Sequence, residues 1–90
     1  MQTKRYFISG RVQGVGFRNY TQKKARQVGV VGWVRNLDDG RVEALATGTT
    51  EQLSHFEVFV HRGPMLASVK DVDVIEENLD NELTDFEFRR

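Results

Sequence analysis

Ninety residues, 39% of them hydrophobic, predict one small domain over residues 1–90 that buries roughly 60–65% of its unfolded surface. The chain has no cysteine, which excludes disulfides, thiolate nucleophiles and zinc–thiolate sites. Net charge is zero, yet residues 1–45 hold nine Lys/Arg against three Asp/Glu and residues 46–90 hold four against ten, so the halves carry +6 and −6.

The start of the chain, Gln2-Thr3-Lys4-Arg5, is polar, and no apolar run approaches the length of a membrane span. No membrane partner is therefore expected, while the absence of cysteine fits a reducing cytoplasm and the hydrophobic content is no more than a monomer needs. Residues 6–12 are rich in β-formers and predict a first strand. Phe17, Tyr20 with Thr21, Ala25 and Val28 then recur every three to four residues, and Gly29 follows as a C′ glycine, so a helix is predicted with Tyr20 and Val28 among its core residues.

Residues 30–37 contain valines and Trp33, Asp38-Asp39-Gly40 is a turn signal, and residues 41–47 alternate Val42, Ala44 and Ala46 against Arg41, Glu43 and Leu45. That pattern is a β-hairpin. Thr49 and Gln52 have capping-box spacing, and Leu53, Phe56, Phe59 and Val60 form the apolar face of a second helix ended by Gly63-Pro64. Residues 69–75 predict a fourth strand, the acidic run 76–85 a loop, and Phe86-Glu87-Phe88 a short extra C-terminal strand.

The order β-α-β-β-α-β predicts an α+β, ferredoxin-like sandwich, with a mostly antiparallel sheet and both helices on one face. This architecture hosts many unrelated functions, so the chemistry has to come from particular residues.

The junction between the first strand and first helix is the most informative stretch. Gly14 and Gly16 permit backbone angles closed to other residues, so the chain can curl and turn several N–H groups toward one point, a nest for an anion. Arg18 falls where the helix begins, a position at which a cation is disfavoured by roughly 0.3–1 kcal/mol unless an anion sits beside it. The loop is neither a Walker loop, since the chain has no Gly-Lys pair, nor a dinucleotide fingerprint, since Asn19 stands where the third glycine would be. An exposed arginine on a flexible turn is the plain alternative.

Other chemistries find little support. His55 and His61 lie about 240° apart around a helix and cannot share a face as a metal pair. No carboxylate set has calcium-loop spacing, and no carboxylate pair adjoins the glycine loop to hold magnesium; no metal or cofactor is expected. Asn36 is a polar residue inside a strand, next to the hairpin turn. It reads as a turn-flanking residue or as an amide that orients a water molecule without a special pKa.

The segments Ile8-x-Gly10-x-Val12-Gln13-Gly14-Val15-x-Phe17-Arg18 and Gly32-Trp33-Val34-Arg35-Asn36-x-x-x-Gly40-x-Val42, followed by Gly48, resemble both signatures of the acylphosphatase family. The likeness extends through Gly63-Pro64 to the Phe86 and Phe88 ending. It implies hydrolysis of a carboxyl-phosphate anhydride, with a small acyl phosphate as substrate. It further implies that Arg18 binds the phosphoryl group, that Asn36 positions the attacking water, and that the backbone amides of Gln13, Gly14, Val15, Gly16 and Phe17 cradle the phosphoryl oxygens. Two positions depart from the pattern: Asn19 replaces an aromatic common in similar sequences, and Met65 stands where a second proline is often found.

Two rivals have different consequences. A non-catalytic effector-binding module would hold phosphate or carboxylate in the same loop without turnover. An RNA-binding domain on this fold would need aromatic residues on its third strand, which residues 41–47 lack, so no nucleic acid partner is expected.

Overall fold

The computed structural model describes residues 1–78 and 83–89. Seven elements follow one another: β1 (Gln2–Arg11), α1 (Phe17–Val28), β2 (Val31–Asn36), β3 (Val42–Gly48), α2 (Thr50–Arg62), β4 (Ser68–Glu77) and β5 (Phe86–Arg89). The sheet runs β4-β1-β3-β2-β5. Its β1–β4, β1–β3 and β2–β3 pairings are antiparallel and the β2–β5 pairing is parallel. The ferredoxin-like order, with its extra C-terminal strand, is the one the sequence predicts.

Alternation along the strands decides which side chains meet the helices. Tyr6 and Ile8 of β1, Val42, Ala44 and Ala46 of β3, Val34 of β2 and Phe86 of β5 are each fully buried. They pack with Phe17 and Ala25 of α1 and Leu53, Phe56 and Val60 of α2 in one core. Small alanines on β3 leave room for the rings of Tyr6, Phe56 and Phe86, which contact edge-on or tilted at centroid separations of 5.4 and 5.8 Å.

Several expectations need correction. β1 begins at Gln2, not residue 6, and β4 continues to Glu77, past the predicted end at residue 75. Both extensions are polar, and cross-strand ion pairs hold them. Arg5 Nε donates to Glu77 at 2.6 Å and Arg5 Nη1 to Glu43 at 2.5 Å, while Arg35 Nε donates to the other Glu43 oxygen at 2.6 Å. Glu43 is thereby buried on the helix-free face of the sheet together with Leu45 and Trp33. The guanidinium groups of Arg5, Arg35 and Arg89 lie 5.2–5.8 Å from the Trp33 ring centre.

The predicted loop 76–85 shrinks accordingly, and its residues 79–82 lie outside the described residues. On α1 the buried positions are Phe17, Thr21 and Ala25. Tyr20 and Val28 are only half-buried, because the core stripe runs at i, i+4 and i+8 and leaves them at the seam with α2. There Tyr20 donates its hydroxyl to the Phe59 carbonyl at 2.9 Å, and Phe59 is likewise half-buried.

Candidate active site

The turn between β1 and α1 is built on two left-handed glycines. Gly14 has φ +72° and Gly16 φ +78°, backbone that side-chain-bearing residues rarely adopt. A Cβ added at either would meet nothing within 4 Å, so these glycines face open space, unlike Gly32, where a Cβ would sit 1.8 Å from the Leu45 carbonyl oxygen. Gly16 is the N-cap of α1, supplies no side-chain cap, and is followed by a first turn without an acidic residue. The helix start is therefore exposed to whatever occupies the space in front of it.

One cleft of about 180 Å³ opens in front of that turn, lined by Val12, Gly14, Gly16, Phe17, Arg18, Asn19, Asn36 and Phe88. Arg18 is the second residue of α1, and Asn36 is the last residue of β2, paired with Val42 of β3. Asn36 is two residues beyond buried Val34, so it points to the helix side of the sheet, where α1 begins. Phe88 of β5, two residues beyond buried Phe86, faces the same side. Among the described lining residues, Arg18 carries the only charge.

Of the seven residues the sequence singled out, Arg18, Asn36, Gly14, Gly16 and Phe17 come together in this cleft, and Phe17 is also a core residue, 2% exposed. Val15 is packed against the core and Gln13 stands outside the lining. Gln13 instead acts through its side chain, whose Nε2 donates to the carbonyls of Leu37 at 2.7 Å and Arg41 at 2.9 Å. Those carbonyls flank the β2–β3 turn, where the Leu37 amide also donates to the Arg41 carbonyl at 2.8 Å. The glycine loop is thus strapped to the hairpin that carries Asn36.

Neither the strap nor the presence of Phe88 was legible in the sequence. Gln13 bonds residues 24 and 28 positions away, and only the parallel β2–β5 pairing, with Val34 opposite Phe88, carries the C-terminal strand to the cleft. His55 and His61 are exposed on α2 and do not line the cleft. Among the described residues, no three His, Asp or Glu side chains gather as a metal-binding group. None of the described helices is long and apolar enough to cross a membrane.

Comparison with known proteins places this geometry in a family. The acylphosphatase family model matches residues 4–88. A curated acylphosphatase of Pasteurella multocida is 47% identical over 99% of both chains, and one of Acaryochloris marina is 52% identical over 92% of this chain and 88% of its own. The crystal structure of acylphosphatase from Bacillus subtilis superposes with a TM-score of 0.96 at 39% identity, covering the whole of both chains. With a model that spans nearly its whole length and relatives matched over most or all of both chains, the chain belongs to the acylphosphatase family of enzymes.

Proposed function

We propose that residues 1–90 act as one domain that hydrolyses the carboxyl-phosphate bond of small acyl phosphates, releasing a carboxylate and inorganic phosphate. The observation that carries the proposal is a single cleft lined by the fork of Arg18, the amide of Asn36 and the open glycine turn at Gly14 and Gly16. Family membership supports the same substrate class.

In phosphoryl transfer the charge lies on three equatorial oxygens, and catalysis is largely positioning and electrostatics. Arg18 would hold two of those oxygens with a planar guanidinium, a geometry lysine lacks. Amides of the turn spanning Gln13, Gly14, Val15, Gly16 and Phe17 would hold the phosphoryl group as a fixed cradle, for which one donor is worth roughly 3 kcal/mol. The amide of Asn36 both donates and accepts, so it would orient a water molecule in line with the leaving oxygen.

The water oxygen bonds to phosphorus as the phosphorus–oxygen bond to the acyl group breaks, and the bonding pair leaves with the carboxylate. The water proton passes to a phosphoryl oxygen of the substrate. The leaving carboxylic acid has a pKa near 4, as model carboxyl groups do, so it departs without a proton and needs no general acid. This accounts for a cleft in which Arg18 is the only charged residue among the described lining residues. Neither a metal nor a second copy of the chain enters the proposal.

The test is ultraviolet-monitored hydrolysis of benzoyl phosphate with chelator present. Turnover is expected in the parent, with a loss on the order of 10³-fold or more in kcat/KM for Arg18→Ala. Asn36→Ala is expected to lower kcat by about 10²–10³-fold with a smaller change in KM. Trapping of a covalent phosphoenzyme by rapid quench would refute direct water attack. A folded parent that binds phosphate but turns nothing over would favour the effector-binding module.

A further inference from the structure

β5 serves the core with one ring and leaves the next outside it. Phe86 is fully buried, whereas Phe88, on the same face of the strand, is 48% exposed. Phe88 nevertheless lines the cleft that holds Arg18 and Asn36, and its ring centre lies 5.8 Å from the Arg18 guanidinium carbon. That separation is within cation–π reach.

The apolar lining of the cleft is Val12, Phe17 and Phe88. Val12 and Phe17 are 1% and 2% exposed, their surfaces already covered by the core, so Phe88 contributes the open apolar surface. Gly14, Gly16 and Arg18 form the anion-holding part, and Asn19 and Asn36 are its neutral polar neighbours. A ligand with its phosphoryl group against the turn and the arginine has one apolar surface left for its carbon-bearing group to touch.

We propose that Phe88 is a specificity-determining residue: its exposed ring receives the acyl group of the substrate beside Arg18. The assignment rests on reading the cleft as an acyl phosphate site. It predicts discrimination between substrates that share the phosphoryl group and differ in the carbon attached to it. Contact with an aromatic acyl group corresponds to about a tenfold preference in affinity. The register that pairs Phe88 with Val34 ties this wall of the cleft to the strand that carries Asn36.

The experiment compares kcat/KM for benzoyl phosphate and acetyl phosphate in the parent, Phe88→Ala and Phe88→Leu. Calorimetric affinities for phenyl phosphate and inorganic phosphate supply a readout independent of turnover. In Phe88→Ala the benzoyl-to-acetyl ratio is expected to fall about tenfold, mainly through KM for benzoyl phosphate, with Phe88→Leu intermediate. The preference for phenyl phosphate over inorganic phosphate is expected to fall by the same factor. Equal losses for both substrates and both ligands would overturn the assignment, because Phe88 would then act only through Arg18. Unchanged ratios would overturn it as well. If the parent binds both phosphates but hydrolyses neither acyl phosphate, the catalytic reading fails while the affinity ratio still decides the role of Phe88.

Discussion

The two helices begin in opposite ways. α2 starts with a complete capping box: the Thr49 hydroxyl accepts from the Gln52 amide at 3.1 Å, and the Gln52 side-chain oxygen accepts from the Thr49 amide at 2.9 Å. Its second position is Glu51, an anion that suits the positive end of the helix dipole. α1 starts with a bare left-handed glycine, and its second position is Arg18, a cation at that same positive end. One helix start is satisfied by its own residues. The other is arranged so that an external anion improves it.

The contrast continues inside the helices. The buried face of α2 is apolar, Leu53, Phe56 and Val60. The middle of α1 buries Thr21, whose Oγ1 has no hydrogen-bond partner among the described residues. α1 therefore carries a cation in its first turn and an unpaired hydroxyl in its core, and it is the helix that borders the cleft. Both unfavourable placements lie in the first five residues of the helix whose start lines the cleft, whereas the start of α2 is capped by its own residues.

Inorganic phosphate should break the asymmetry most strongly, by supplying the anion that α1 lacks. At ten times its dissociation constant, phosphate is expected to stabilise the parent by about 1.4 kcal/mol. That corresponds to a rise of roughly 6–10 °C in Tm by scanning calorimetry. The rise should be lost in Arg18→Ala and kept in Thr49→Ala; an equal rise in all three would mean that phosphate binds elsewhere.

Thr49→Ala removes the cap of α2 and is expected to lower stability by about 1 kcal/mol in urea titration, with acyl phosphate turnover unchanged. A fall in kcat would show that α2 supports the site through more than packing. Thr21→Val should move stability the other way, upward by roughly 0.5–1 kcal/mol, since it removes a buried hydroxyl without a partner and keeps the branched shape. A loss of stability would reveal a bond that the hydroxyl makes in solution.

The smallest effect lies at the far end of α1. There Arg26 donates to both oxygens of Asp85 at 2.9 and 2.8 Å, just ahead of the strand that carries Phe88. The hydrogen bonds from Arg26, then that from the Phe86 amide, hold the Asp85 carboxyl below its ordinary value of 3.8. Because the folded pKa lies below the unfolded one, the pair contributes stability above pH 3.8 and loses it as the pH falls through the lower folded value. Both side chains are about half exposed, so the contribution is small and screened by salt. Asp85→Asn should flatten the acid limb of the stability profile slightly; an identical limb would assign acid sensitivity to other carboxylates.

Much of this molecule was legible in the amino-acid sequence, because the informative signals are local. The 3.6-residue and two-residue periods, the Thr49–Gln52 spacing, Gly29 after α1 and Gly63 after α2 act within a turn or two, and they placed both helices and the order of elements along the chain. The two motif segments likewise marked Arg18 and Asn36, and the glycine turn between strand and helix marked Gly14 and Gly16. What the sequence hid depends on partners far along the chain. The charged ends of β1 and β4 become strand only because Arg5 meets Glu77 and Glu43 across neighbouring strands, and Gln13 becomes a strap only because the hairpin turn arrives beside it. Phe88 reaches the cleft through a parallel pairing that no periodicity encodes. Local backbone preference determined which elements form, and tertiary packing decided which side chains meet, because pairing across the sheet depends on register and proximity rather than on spacing along the chain.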